Sequence, residues 1–302
     1  MIRYIKHGEI DFQKWDATID ASTNGMVYAK SWFLDIVSPG WQALIEDDYT
    51  IVFPLTSRKK FGFSYLHQPF FTQQLGVFSG NELTVAKIDE FLFNVPIVFR
   101  LVEIQLNHSN KFNGGDFKIS ERLTHHLDLN RVYDIIQKNY SDNLKRNLKR
   151  ANQQEVIFNN NFGTRDLINL FKANRGKEVE TLKDRDYQTF EKLVEEGSKR
   201  NLVTKVGVMI NHNLEAGAVF IKSNYEYIFL FSATGDKAKE SGAMAYIIDD
   251  FIRSHAGETM QLDFEGSMDS GLARFYKSFG SKEIVYLQIR KNNLPLPLRW
   301  LK

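Results

Sequence analysis

The sequence predicts a mixed α/β (α+β) chain folded as two domains, and three observations predict it. The length of 302 residues exceeds the usual size of one domain, so two of roughly 100–200 residues each are expected. Short strand-like apolar runs alternate with amphipathic helical stretches along the whole chain. The element order of the second half is also echoed loosely in the first, although no residue-level repeat is visible.

Composition narrows the function. An apolar share of 43%, with 24 Phe and 12 Tyr, is enough for two packed cores. A charged share of 25% with a net charge of +2 fits neither a disordered chain nor a duplex-binding surface, so no DNA partner is expected. The absence of cysteine removes disulfides, thiolate zinc sites and cysteine nucleophiles. The 7 His show no metal-ligand spacing, so no metal is expected; His125 and His126 alternate on a strand and read as structural. The polar start, MIRYIKHGEIDFQKWD, has no signal-peptide core, and no apolar run approaches the ~18 residues of a membrane helix. A cytoplasmic chain without an integral membrane segment is expected.

In order, residues 11–21 read as a helix capped by Asp11, and 29–37 as a second. Strands at 41–46 and 49–56 join at Asp47-Asp48, and 61–66 continues the meander. An aromatic, amide-rich loop starts at Gln68-Pro69. A helix at 82–93 follows, then strands at 97–106 and 118–129 around the Asn/Gly-rich loop NHSNKFNGGD. Helical signals run over 130–154, with a strand at 155–160 and helices at 165–177 and 187–200. Three antiparallel strands come next, at 202–210, 214–222 and 225–233. The segment TGDKAKESG reads as a loop, 243–255 as a helix, 259–265 as a strand, and the chain closes with a helix and a strand at 284–290. The boundary falls near 129–140, giving domains 1–132 and 133–302.

The stretch 259–281, TMQLDFEGSMDSGLARFYKSFGS, carries the most chemistry: an apolar strand ends in two carboxylates, then a Gly-Ser turn, then a helix. In a regular strand Asp263 and Glu265 share a face, and their repulsion would raise one pKa into the range of a general base. Asp263 has a second reading, as a strand-end carboxylate that caps the next helix. Upstream, Lys145, Arg146, Lys149 and Arg150 make a continuous basic helix face opposite Leu144, Leu148 and Ala151. Such a face is often merely solvated.

Three stretches together resemble the tandem-GNAT branch typified by the FemABX peptidyltransferases and FemAB-like acetyltransferases. They are YSDNLKRNLKRA (140–151), SGAMAYIIDDFI (241–252) and LDFEGSMDSGLARFYKSFG (262–280). The likeness covers most of 130–291 and the first half by element order. It departs at Tyr276, where the family has Lys, with Lys277 one residue later; the coiled-coil arm of some members is also absent.

The resemblance implies two GNAT-like domains, each a mixed, mostly antiparallel sheet flanked by helices, with the second holding the donor. It implies a sheet splayed between 225–233 and 259–265, with an oxyanion-binding N–H near 231–233. Tyr276 takes the place of the general acid near the donor sulfur; its other reading is a helix-face aromatic beside Leu272, Phe275 and Phe279. Lys237, Lys239, Gly242 and Ala243 occupy the place of the pyrophosphate site, although the full phosphate signature is absent and a solvated loop is the rival reading. Arg146 or Arg150 would hold acceptor phosphate, with Lys277 also substrate-binding. Gln73, with Gln68 and Gln74, is an acceptor-binding candidate by position in the loop 68–80, which would line a cleft between the domains.

The expected activity is N-acyl transfer from acyl-CoA, a co-substrate rather than a tightly bound cofactor. The acceptor would be the amine of an amino sugar, an amino acid or a cell-envelope precursor. The alternatives are an aminoacyl-tRNA-dependent peptidyltransferase of peptidoglycan precursors, with tRNA as partner, and a non-catalytic GNAT-like binding module.

Overall fold

The computed structural model describes residues 1–151, 157–177, 182–210 and 212–299. The chain forms two compact units, Met1–Leu123 with Val285–Lys302, and Thr124–Ile284. This differs from the expected division at 132/133 in two respects. The first boundary lies earlier, inside a strand, and the last strand returns to the first unit, where Ile289 packs with Leu66, Val102 and Ile104.

The first unit contains β1 (Ile2–Ile5), α1 (Phe12–Ala21), α2 (Ser31–Val37), β2 (Gln42–Glu46), β3 (Ile51–Leu55), β4 (Ser57–Lys60), β5 (Phe63–His67), β6 (Phe78–Ser79), α3 (Val85–Phe93) and β7 (Phe99–Gln105). The Asp11 carboxylate caps α1 by accepting from the Gln13 and Lys14 N–H groups, both at 3.1 Å. That helix buries Trp15 and Ile19, and the Trp15 ring meets Trp41 at 4.6 Å. β1, β2, β3 and β6 form an antiparallel sheet, while β4, β5 and β7 pair in that order, β5 and β7 in parallel. β1 and β4 were not expected; each is short and half polar, too brief for a period-2 signal.

His67, on β5, gives this unit a pH dependence. Burial, with the Arg58 charge behind it, lowers its pKa to about 4. The unfolded chain therefore takes up the proton first as pH falls. Stability is complete above pH 6.5 and is lost between 6.5 and about 4, by on the order of 2 kcal/mol. Urea midpoints of wild type and His67→Gln, followed from pH 7 to pH 4.5, should diverge, with the flatter profile in the variant. Parallel profiles would refute the assignment.

The second unit starts within β8 (Lys118–Asp128) and continues through α4 (Tyr133–Lys138), α5 (Asp142–Ala151), β9 (Ile157–Phe158), α6 (Thr164–Ala173), α7 (Asp184–Lys199), β10 (Val203–Ile210), β11 (Asn213–Lys222), β12 (Glu226–Thr234), α8 (Asp236–Ser241), α9 (Ala243–His255), β13 (Gln261–Asp263) and α10 (Ser270–Lys277), ending inside β14 (Lys282–Asn292). Its strands run β8-β13-β12-β11-β10-β9, antiparallel except for β12 with β13. The antiparallel hairpins, the helix that follows them and one parallel strand reproduce the expected order. α9 lays Ala243, Ala245, Ile247, Ile248, Phe251 and Ile252 on this sheet, with the Phe251 ring stacked on Phe220 at 3.7 Å.

Three local expectations change. The helical stretch 130–154 is two helices, α4 and α5, and its end at 152–154 lies outside the described residues, as do 155 and 156 of the expected strand. The segment read as the loop TGDKAKESG contains the single-turn α8, which buries Ala238 and Ser241 and closes on Gly242 in the left-handed region. One turn is too short for a 3.6 period to emerge. No described helix is long and apolar enough to cross a membrane.

Candidate active site

The site follows from where β12 and β13 part. Their parallel pairing covers Glu226↔Gln261, Tyr227↔Leu262 and Ile228↔Asp263 and then stops, because β13 ends at Asp263. β12 continues to Thr234, holding β11 on one side, with no strand on the other among the described residues. A cavity of about 340 Å³ opens at this divergence. Its walls come from Phe229, Ser232, Ala233 and Thr234 of β12, Lys239 and Gly242, Met244 and Ala245 of α9, and Leu272, Phe275 and Tyr276 of α10, with Asn147 and Arg175.

α10 is placed by its own sequence. Asp269 caps it, accepting at 2.9 Å from the Gly271 and Leu272 N–H groups. Tyr276 is 4% exposed, stacked on Phe264 at 4.8 Å and edge-on to Phe229 at 6.2 Å. Its hydroxyl makes no hydrogen bond to another described residue, and a Cβ added at Gly266 would lie 3.8 Å from it. Burial raises the Tyr276 pKa, with Glu265, Asp269 and Asp263 adding to the effect and Arg175 opposing it. The phenol therefore remains protonated at neutral pH.

Asp263 and Glu265 do not behave as a pair on one strand face. Glu265 follows the strand end with φ +52°, so alternation has already broken. Asp263 is fully buried: its Oδ1 accepts from the Thr124 hydroxyl and, at 2.9 Å, from the Glu265 N–H, and its Oδ2 lies 3.3 Å from His126 Nε2. Burial pushes its carboxyl up, but His126, Thr124 and the Glu265 N–H together outweigh this and hold it below the usual carboxylate range. The Glu265 carboxyl is pushed up to about 8 by burial, not by repulsion from Asp263. Asp263 thus fixes the turn that carries Glu265, which is outside the cavity wall but whose charge acts on Tyr276.

Among the residues expected at a phosphate site, Lys239 and Gly242 reach the cavity wall. Lys237 is exposed outside that wall and Ala243 is buried in the core. Lys239 pairs with Asp236 at 2.9 Å. Gly242, at φ +71°, ends α8 and precedes α9. Only glycine adopts this backbone without strain, and the first turn of α9 is thereby presented to the cavity. Helix N-termini leave backbone N–H groups without intrahelical partners and attract anions.

The remaining candidates lie elsewhere. Arg146 is on the exposed face of α5 and outside the cavity wall, whereas its neighbour Asn147 is in it. Arg150 belongs to α5, but its side chain lies outside the described residues. Lys277 is exposed, one position past Tyr276 and turned from the cavity wall. Gln73 sits in the first unit, where its Oε1 accepts from Gln74 Nε2 at 3.2 Å.

Arg175 and Asn147 are cavity residues that the sequence reading missed. Arg175 pairs with Asp269 at 3.0 Å and lies in a short helical turn after α6 whose sequence carries no motif. His126, Glu226 and Asp263 form a second unforeseen group, buried on three adjacent strands with ligand atoms within 4.8 Å of one another. Their sequence separations hide them from any spacing rule.

No protein-family model matches the sequence, and no curated protein matches it either. Solved structures do. FemX shares the fold at a TM-score of 0.66 and 12% identity, over 93% of this chain and 96% of that one. A conserved protein of unknown function from Bacteroides thetaiotaomicron does so at 0.58 and 10% identity, over 96% and 99%. L-PGS from Bacillus licheniformis follows at 0.54 and 10%, over 95% and 93%. At these identities the likeness is one of fold: the chain shares the mixed α/β fold of FemX.

Proposed function

We propose that this chain is an N-acyltransferase that moves an acyl group from acyl-CoA to an amine in the cavity where β12 and β13 part. One observation carries the reading: the Tyr276 hydroxyl, protonated and without another partner among the described residues, stands at a cavity wall shared with the unpaired side of β12. Thioester aminolysis uses those parts. The amine nitrogen attacks the carbonyl carbon, the C–N bond forms, and the oxyanion is met by a β12 backbone N–H near 231–233. Collapse breaks the C–S bond, and Tyr276 gives its proton to the leaving thiolate. The ionised fraction of Glu265, its carboxyl pushed up to about 8, takes the proton released by the amine and passes it to solvent. Solvent returns the proton to Tyr276.

The first turn of α9, with Gly242 and Lys239, would bind the phosphates of the donor, and Arg175 adds a second cation at the same wall. The acceptor would be an amino sugar, an amino acid or a cell-envelope precursor.

A second reading takes an aminoacyl-tRNA as donor. It is favoured by the fold shared with FemX and by the exposed Lys145, Arg146 and Lys149 on α5. Both donors are cytoplasmic, which is where the chain would act.

Isothermal titration with acetyl-CoA tests the first reading. Saturable binding is expected, weakened at least about 10-fold in Lys239→Glu, because reversing one phosphate-contacting charge costs more than about 1.4 kcal/mol. No binding of acetyl-CoA or CoA, together with salt-sensitive tRNA binding lost on reversing Lys145 and Arg146, would replace it with the second.

A further inference from the structure

We propose that His126, Glu226 and Asp263 form a binding site for one divalent transition-metal ion, which clamps β8, β13 and β12 together where the sheet begins to open. The proposal does not rest on the transfer reaction, although Asp263 also holds the turn that carries Glu265.

The three residues come from three neighbouring strands. His126 and Asp263 are directly opposed in the β8–β13 register, and Glu226 lies one pleat from Ile228, the β12 partner of Asp263. Their side chains therefore project from one face of the sheet. They are 6%, 7% and 0% exposed, and one ligand atom from each lies within 4.8 Å of the others. Two ligand atoms on a tetrahedral zinc, each about 2.0–2.1 Å from the ion, are about 3.3 Å apart. His126 Nε2 and Asp263 Oδ2 are 3.3 Å apart.

The surrounding polar groups satisfy the ligands' other atoms and aim the rest inward. His126 Nδ1 is 2.9 Å from Gln261 Oε1; donating its N–H there, the ring keeps a lone pair on Nε2. Asp263 Oδ1 is taken by Thr124 and by the Glu265 N–H, which leaves Oδ2 for the cluster. The Glu226 carboxylate, more than nine-tenths buried, accepts no hydrogen bond from any described residue. A buried carboxylate without a donor is costly unless a cation meets it. Without an ion, and against the effect of burial, the two carboxylates keep the His126 imidazole protonated, its pKa pushed up to about 9. A bound ion would displace that Nε2 proton, and two carboxylates then balance one dication.

One nitrogen and two carboxylates suit zinc and its neighbours. Calcium and magnesium prefer six or more oxygens and are disfavoured. A bidentate Glu226 or one water would complete four-coordination.

The test uses the full chain, freed of metal by a chelator and dialysed. Titration with Zn2+ should show one ion per chain and a rise in the thermal midpoint, and Co2+ should develop visible d–d absorption. Glu226→Gln should abolish the absorption. Gln261→Ala, which alters an exposed residue and removes only the partner of Nδ1, should weaken Zn2+ binding about 10- to 100-fold. If Glu226→Gln does not fold by circular dichroism, Gln261→Ala alone decides. Absence of stoichiometric binding in wild type, or binding unchanged in Gln261→Ala, overturns the proposal.

Discussion

Tyr276→Phe is expected to lower kcat for acyl transfer by about 10²–10⁴-fold, the range that a positioned proton donor contributes, with little change in KM for the donor. The substitution removes one oxygen from a side chain that is otherwise held by its ring. Stacking on Phe264 and the edge contact with Phe229 survive in phenylalanine. No described hydrogen bond is lost, so the thermal midpoint should stay within about 1–2 °C, as a change well under 1 kcal/mol implies. Release of free thiol from acetyl-CoA in the presence of a panel of amines measures the effect. A variant with wild-type rate would reduce Tyr276 to an aromatic filling the space beside Phe264.

Asp263→Ala should cost about 3–5 kcal/mol of stability, the range for removing one partner of a buried charged pair. The carboxylate is fully buried and connects β8 to the strand end through His126 and Thr124. It also accepts the N–H of Glu265, whose backbone is in the left-handed region. Asp263→Asn, which keeps an acceptor oxygen for Thr124 and for that N–H, should lose less. Urea unfolding of metal-free protein provides the comparison. A loss under about 1 kcal/mol in the alanine variant would mean that Asp263 does not fix the turn.

Much of the fold was legible because its signals are local. Asp11 announces a helix start, and the apolar face of α9 repeats at helical spacing. The misreadings occur where tertiary structure overrides a local pattern. Asp263 and Glu265 alternate with Phe264 in the sequence, and period-2 reasoning places them on one face. The chain instead leaves β13 at Asp263, because that side chain is drawn to Thr124 and His126, more than 130 residues earlier. The destination of the final strand was likewise illegible, since Ile289 finds its core partners in a unit that begins at Met1.

The site was legible in part. Tyr276, Lys239 and Gly242 share a cavity wall because α10, α8 and the start of α9 follow β13 and β12 directly in the chain. Arg175 and Asn147 join them from elements with no motif. Lys237, Ala243, Arg146 and Lys277 are site candidates by sequence position but are directed to solvent or core, as one residue's shift along a helix turns a side chain by about 100°.

The account centres on donor binding in the cavity at the β12–β13 divergence, and a crystal structure of the chain with CoA addresses this most directly. Density for the thiol end beside Tyr276, with phosphate at Gly242 and the first turn of α9, is the predicted result. CoA bound away from Phe229, Gly242 and Tyr276, or a cavity left without ligand at saturating CoA, would contradict it.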